Sequence, residues 1–217
     1  MHELPAELKE MIESSRVRNF PKGQIIHYEG DAVNDIYIIK SGIVRVYDTD
    51  DQSNEKVLHI VKSPALIPFA FFISEGATTE WFYSALTDCD VYILDQRKLR
   101  DAMLKNGELA VYLLRNFSND VHELLVRLSS LGKTTASDKV IAVLTFLVVC
   151  HGNERPSGWW RIPFPVSHQL LADMVGITRE SVAVVMKDLQ DNKIIRNPRL
   201  TTLEVNKDRL LLNKQTT

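Results

Sequence analysis

A single glycine, Gly176, breaks an otherwise helix-compatible run from Val166 to Leu189, and the residues around it leave few folds open. Ser167 stands at the start of the run as a helix cap, with Leu170 and Leu171 behind it. Ala172 supplies the small contact where two helices cross, Gly176 the sharp turn, and Ile177 an apolar plug beneath it. Thr178 caps a second helix whose buried face is Val182, Val185 and Leu189. This is the spacing of a helix-turn-helix, whose second helix enters the major groove of DNA by its N-terminal residues.

The exposed N-terminal positions of that second helix are Thr178, Arg179, Glu180 and Ser181. An arginine can donate two hydrogen bonds to guanine, and a glutamate can accept one from cytosine, so Arg179 and Glu180 are the candidates for base readout. Lys187, two turns along, is placed for a phosphate, and Ser167 and His168 open the first helix as backbone contacts. Ile194-Ile195, Asn197-Pro198-Arg199 and the segment Leu200 to Val205 read as a hairpin wing with Arg199 at its tip. The charge distribution points the same way. Residues 1–131 carry 14 Lys and Arg against 20 Asp and Glu, residues 132–217 carry 12 against 8, so the net charge of −2 divides into −6 and +4. A basic excess confined to the half with the wing suits a polyanionic partner there.

The first half follows another grammar. Leu4, Leu8, Met11 and Ile12 form one face of a short amphipathic helix. Strands are then expected at Arg18 to Phe20, Gln24 to Tyr28, Asp35 to Lys40, Ile43 to Tyr47, Glu55 to Val61, Glu80 to Leu86 and Asp90 to Leu94. Short strands at regular spacing, punctuated by Gly, Asp and Pro, argue for an antiparallel barrel or jelly roll.

After Asp95 the period changes again. Val111, Leu114, Phe117 (or Ser118), Val121, Leu124 (or Leu125), Leu128 and Leu131 repeat at three- and four-residue steps. They predict a helix of about six to seven turns with a nearly continuous apolar stripe. The stripe is too long for one small barrel to cover, which makes it a dimer seam rather than a helix packed back on its own barrel. Gly132 to Asp138 reads as a linker, with Ser137 or Asp138 capping a largely buried helix from Lys139 to Cys150 that carries Val140, Ile141, Leu144, Leu147 and Val148.

Several classes of function are disfavoured. The two cysteines, Cys89 and Cys150, are too few for a four-thiolate iron–sulfur cluster or a disulfide framework, and each reads as a small apolar residue. No metal site is expected: no His-x-His pair occurs, and His27 and His59 stand alone among the barrel strands. No G-x-S-x-G, phosphate-cradling glycine loop or Cys–His nucleophile pattern is present, so no catalytic residue is assigned and an enzyme built on the barrel is a distant alternative. The longest apolar run, Pro64 to Ile73, is too short to span a bilayer. The polar start, Met1-His2-Glu3-Leu4-Pro5, is unlike an export leader, so a cytoplasmic protein without membrane contact is expected.

With these residues in place, the chain resembles the cyclic-AMP receptor / fumarate-nitrate reductase regulator (CRP/FNR) superfamily over nearly its whole length. Val175-Gly176-Ile177-Thr178-Arg179-Glu180-Ser181-Val182 is similar to that family's recognition-helix signature, and Glu29-Gly30-Asp31 and Tyr37 to Val44 resemble its early barrel strands. The resemblance implies an α+β chain: an N-terminal antiparallel jelly-roll barrel of cyclic-nucleotide-binding type (1–106), a long dimerisation helix (107–132) and a C-terminal winged helix-turn-helix (133–217). It implies a homodimeric transcription regulator that binds a near-palindromic promoter site on double-stranded DNA and works with RNA polymerase. A regulatory protein of the same fold acting on a protein partner is the alternative.

Three departures qualify the resemblance. The family's nucleotide cassette uses a Gly-Glu pair and an Arg-Ser pair, and this chain has Pro68-Phe69 and Thr79-Glu80 at those places. A carboxylate at Glu80 would repel a cyclic phosphate, and no arginine lies between Glu55 and Leu94 to offset it. The polar pair on the long helix that contacts the base is replaced by Leu124-Leu125, so cyclic AMP is not the expected effector. The oxygen-sensing branch uses clustered cysteines near its start, whereas none precedes Cys89, and neither His27 nor His59 has the context of a haem ligand. Finally, the family's second recognition arginine is replaced by Val184, beside Ala183, which predicts a half-site relaxed or thymine-preferring at its third position. What the barrel senses is left open. A small-molecule effector pocket would be built from Phe69, Phe71, Phe72, Thr79, Trp81 and Tyr83, residues that also read as plain barrel core.

Overall fold

The computed structural model describes residues 4–72, 76–128, 132–199 and 202–213, without the side chains of 71, 72, 198, 199 and 211–213. The chain divides into two compact units, Met1–Asp48 with Val57–Val121, and Thr49–Lys56 with His122–Thr217.

The first unit opens with helix α1 (Ala6–Glu13) and continues through strands β1 (Arg16–Phe20), β2 (Ile25–His27), β3 (Asp35–Ser41), β4 (Ile43–Thr49), β5 (Glu55–Lys62), β6 (Leu66–Ile67), β7 (Phe82–Ala85) and β8 (Cys89–Asp95). They form two four-stranded sheets, ordered β1-β8-β3-β6 and β2-β7-β4-β5. Strand β3 shows why the unbroken apolar run Ile36-Tyr37-Ile38-Ile39 is a strand. Alternate side chains of a strand point to opposite faces, so such a run needs cover on both. Tyr37 and Ile39 face the core between the sheets with Phe20, Val44, Val46, Tyr83 and Val91. Ile36 and Ile38 face a second core made with Leu8, Leu99, Leu109 and Leu113, contributed by helices. Gly42, with φ +95°, makes the β3–β4 turn, and a Cβ there would overlap the Asp88 carbonyl and the Cys89 side chain.

Those helices include one that the sequence reading passes over. Helix α2 (Gln96–Lys105) starts at Asp95, whose carboxylate accepts from Lys98 N at 2.9 Å, and it buries Leu99 and Ala102. The long helix α3 (Gly107–Leu128) begins four residues ahead of Val111, the first residue of the apolar stripe, where the Asn106 carboxamide accepts from the amides of Glu108 and Leu109. The apolar stretch after Pro64 yields the two-residue β6 and a 3-10 turn, Phe69–Phe72.

The second unit holds α4 (Ala136–His151), β9 (Asn153–Glu154), β10 (Trp159–Ile162), α5 (His168–Val175), α6 (Arg179–Asp191), β11 (Ile195–Arg199), β12 (Thr202–Asn206) and α7 (Lys207–Asn213). Its sheet runs β11-β12-β10-β9. Helix α4 is almost wholly buried, as its composition predicts, but its cap is neither Ser137 nor Asp138. Thr135 Oγ1 accepts from Asp138 N at 3.1 Å and donates to the Asp138 carboxylate at 2.7 Å. An acidic side chain three residues past the cap reaches back to it, which starts the helix earlier than expected.

Candidate nucleic-acid interface

The turn between α5 and α6 is built by local rules. Ser167 Oγ accepts from Leu170 N at 3.0 Å and caps α5, whose Leu170, Leu171, Ala172 and Met174 are buried. Gly176 ends α5 at φ 67° and ψ 46° and donates its N–H to the Ala172 carbonyl at 2.8 Å. A Cβ there would touch nothing within 4 Å, so the left-handed backbone alone favours glycine. Thr178 Oγ1 then accepts from Ser181 N at 3.2 Å, and its hydroxyl lies 2.9 Å from that of Ser181. Helix α6 buries Val182, Val185, Met186 and Leu189.

Its opposite face is open. Thr178, Arg179, Glu180 and Lys187 are exposed, Ser181 and His168 are half-buried, and Ser167 is exposed. Among the described residues, the side chains of Arg179, Glu180 and Lys187 make no hydrogen bond or ion pair, so their polar groups are available to an outside partner. Val184 stands among them at 71% exposure, an apolar side chain on an otherwise polar face. The acidic Glu180 in the first turn suits the positive end of the helix dipole, and the same N-terminal amides suit a phosphate.

The wing is held by a buried carboxylate. Strand β11 pairs with β12 at Ile195↔Val205, Arg196↔Glu204 and Arg199↔Thr202, with a register shift between the last two pairs. Glu204, 2% exposed, takes Arg161 Nη2 at 2.7 Å and Arg196 Nη2 at 2.7 Å. Burial pushes its pKa up, but the hydrogen bonds and charges of Arg161 and Arg196 together outweigh that and hold it below the usual carboxylate range. Arg196 also lies over the Trp159 ring at 4.0 Å. The backbone of Arg199 reaches the end of β11 as expected, while its side chain lies outside the described residues.

Helix α3 presents a separate surface. Val111 (47% exposed), Leu114 (61%), Val121 (38%), Leu125 (59%) and Leu128 (62%) fall with exposed Ser118 on two interleaved seven-residue series. That is the a and d spacing of a coiled-coil seam. Leu124 borders this stripe. Phe117 does not belong to it: half-buried, it lines a shallow groove with Leu4, Leu8, Tyr112, Leu113 and Asp120. The expected Leu131 lies outside the described residues.

Of the residues named for an effector pocket, Phe69, Trp81 and Tyr83 gather on the core between the sheets. Tyr83 OH accepts from Phe69 N at 3.1 Å, and burial pushes its phenol up. Thr79 is buried, with its hydroxyl donated to the Tyr28 carbonyl. The side chains of Phe71 and Phe72 lie outside the described residues. His27, 6% exposed, stacks on Tyr37, and burial lowers its pKa. His59 is 1% exposed, with Nε2 4.0 Å from the Asp120 carboxylate. The Cys89 thiol donates to the Ile43 and Thr87 carbonyls, and Cys150 is half-buried. Among the described residues no group of three His, Cys, Asp or Glu is placed to hold a metal ion, and no helix is long and apolar enough to cross a membrane.

Sequence reasoning missed the connection at the end of α3. Arg127 is 5% exposed and donates from Nη2 to the Met174 carbonyl of α5 at 3.0 Å. One turn earlier, Glu123 Oε2 lies 3.8 Å from Nε2 of buried His151 on α4. The one signal for this was a cation inside an apolar run, Leu124-Leu125-Val126-Arg127-Leu128.

Comparison with known proteins agrees with this geometry. The family described as the cyclic nucleotide-binding domain matches residues 17–106, and the Crp-like helix-turn-helix domain matches residues 138–211. The HTH-type transcriptional regulator ArcR of Staphylococcus haemolyticus is 25% identical over 83% of this chain and 79% of its own length. The global nitrogen regulator of Synechococcus elongatus is 21% identical over 83% of this chain and 81% of its own. The solved structure of FixK2 from Bradyrhizobium japonicum shares the fold, with a TM-score of 0.75 at 18% identity over 91% of this chain and 96% of that one.

Proposed function

From the premise that this chain belongs to the CRP/FNR family of transcription regulators, we propose that it acts as a homodimer reading a near-palindromic promoter site with two copies of α6. It is a regulator and not an enzyme. The observation that carries the reading is the open face of α6, where capped Thr178 sets Arg179, Glu180 and Lys187 outward with no partner among the described residues. Arg179 and Glu180 read base edges. Ser167, His168, Thr178, Ser181, Lys187 and Arg199 hold the backbone or support those that do.

In this reading residues 1–106 are the sensing domain, 107–132 the dimerisation helix and 133–217 the DNA-binding domain. The seam of Val111, Leu114, Val121, Leu125 and Leu128, flanked by Leu124, meets its copy in the partner, and a two-fold axis places the half-sites about one helical turn apart. The bound dimer acts on RNA polymerase in the cytoplasm. Cyclic AMP is not its effector in this reading: the Glu80 carboxylate would repel a cyclic phosphate, and Thr79 donates its hydroxyl to the Tyr28 carbonyl. Neither an iron–sulfur cluster nor haem has a role, and any effector is another small molecule.

Selection of binding sites from random duplex DNA, with purified protein and no added ligand, tests this directly. Enrichment of a near-palindrome is expected. No enrichment either alone or with cell extract added would sink the DNA-binding reading in favour of a regulator acting on another protein.

A further inference from the structure

Arginine is seldom buried without a specific task, and Arg127 is buried at a point where three features of the molecule meet. Its donated bond ends on Met174, one of the last carbonyls of α5, which have no partner inside their own helix. Met174 stands two residues before Gly176 and four before Thr178, the cap that starts the recognition helix. Arg127 therefore grips the segment whose path aims α6.

The same turns of α3 carry the seam. Leu124, Leu125 and Leu128 are exposed, while Arg127 is turned inward, and Glu123 one turn back faces His151 of α4 at 3.8 Å. Burial lowers the Arg127 pKa to about 10, so the guanidinium stays charged at neutral pH and the bond is a charge-assisted one. The turns of α3 from Glu123 to Leu128 thus present leucines on one side and, through Arg127, hold α5 on the other.

We propose that Arg127 is the positioning residue that couples the dimer seam to the recognition helices and so sets which half-site spacing the dimer accepts. This rests on the DNA-binding homodimer reading above. The arginine itself touches no base: it fixes α5 to the seam helix, so that the distance between the two α6 helices is narrowly defined. Without the bond each recognition helix still reads its half-site, but the pair tolerates wrong spacings.

The test compares wild type, Arg127→Lys and Arg127→Met on the selected palindrome, on versions with one base pair added or removed at the centre, and on a single half-site. Sedimentation and circular dichroism confirm the dimer and the fold. Wild type is expected to prefer the selected spacing by about tenfold or more, since a mismatched geometry forfeits simultaneous engagement. Arg127→Met is expected to reduce that preference below about threefold while half-site affinity changes little, with Arg127→Lys in between. Unchanged spacing preference in Arg127→Met, or loss of half-site and palindrome affinity in equal proportion, overturns the proposal. If Arg127→Met does not fold, Arg127→Lys decides alone: full wild-type preference overturns it, and an intermediate value supports it. A wild-type protein that selects no palindrome is a failure of the DNA-binding reading instead.

Discussion

Helices α3 and α6 each leave a face uncovered, and the chemistry of the two faces is opposite. Along α3 the uncovered stripe is Val111, Leu114, Ser118, Val121, Leu125 and Leu128, spaced by alternating threes and fours and apolar at every position but Ser118. Along α6 the exposed side chains include Arg179, Glu180, Lys187, Asp188, Gln190 and Asp191, with Val184 the single apolar member. An apolar stripe gains only by removal from water, so its natural cover is an equally apolar surface, and a second copy of itself supplies one. A helix face of unpaired charges behind a capped N-terminus gains from a partner rich in donors, acceptors and phosphates. In the proposed function the difference gives protein to one face and DNA to the other, and each assignment can be broken separately.

The largest effect is expected at α3. Leu114→Glu combined with Leu125→Glu should leave a folded monomer by sedimentation, with palindrome affinity reduced by about 100-fold or more and half-site affinity nearly intact. A variant that remained dimeric would remove the contrast between the two faces. On α6, Arg179→Ala should cost roughly 1–3 kcal/mol and relax preference at one base pair only, measured across single-base variants of the site. Lys187→Ala is expected to weaken all sequences alike and to flatten the dependence of affinity on salt by about one unit. A loss confined to one base would show that Lys187 reads sequence.

The smallest expected effect concerns the residue that blurs the comparison. If Val184 buries its methyl groups against a thymine methyl, replacing that thymine by uracil should lower wild-type affinity about fourfold, the worth of one buried carbon. The same replacement should do nothing to Val184→Ala. Equal sensitivity in both proteins would leave Val184 as a bystander on the DNA face.

The parts of this protein legible in the sequence are those specified by neighbours a few residues apart. Ser167 and Thr178 cap the helices they were expected to cap, because a cap needs only a side-chain oxygen two or three residues ahead of the amide it satisfies. Gly176 takes the left-handed backbone for which its position called. The strands of the first unit and the stripe of α3 follow from periods of two and of three-to-four, and a period survives any error in what packs against it. Short elements were less legible. Strand β6 has two residues, too few to show a period, and α2 carries so many charges that its buried Leu99 and Ala102 form a thin signal.

The sequence by itself therefore determined the order of the elements, the helix-turn-helix and its outward residues, and the apolar repeat of the long helix. Only the tertiary structure decided which member of an ambiguous pair faces where. Phe117 turned into a groove and Ser118 onto the seam, since one residue swings a side chain about 100° around a helix. It likewise decided that Thr135 and not Ser137 begins α4, that Glu204 would be shared by Arg161 and Arg196, and that Arg127 would close on Met174. Glu204 lies 43 residues from Arg161, and Arg127 lies 47 from Met174. Contacts across such separations depend on how whole elements pack, and no local pattern in the chain encodes them.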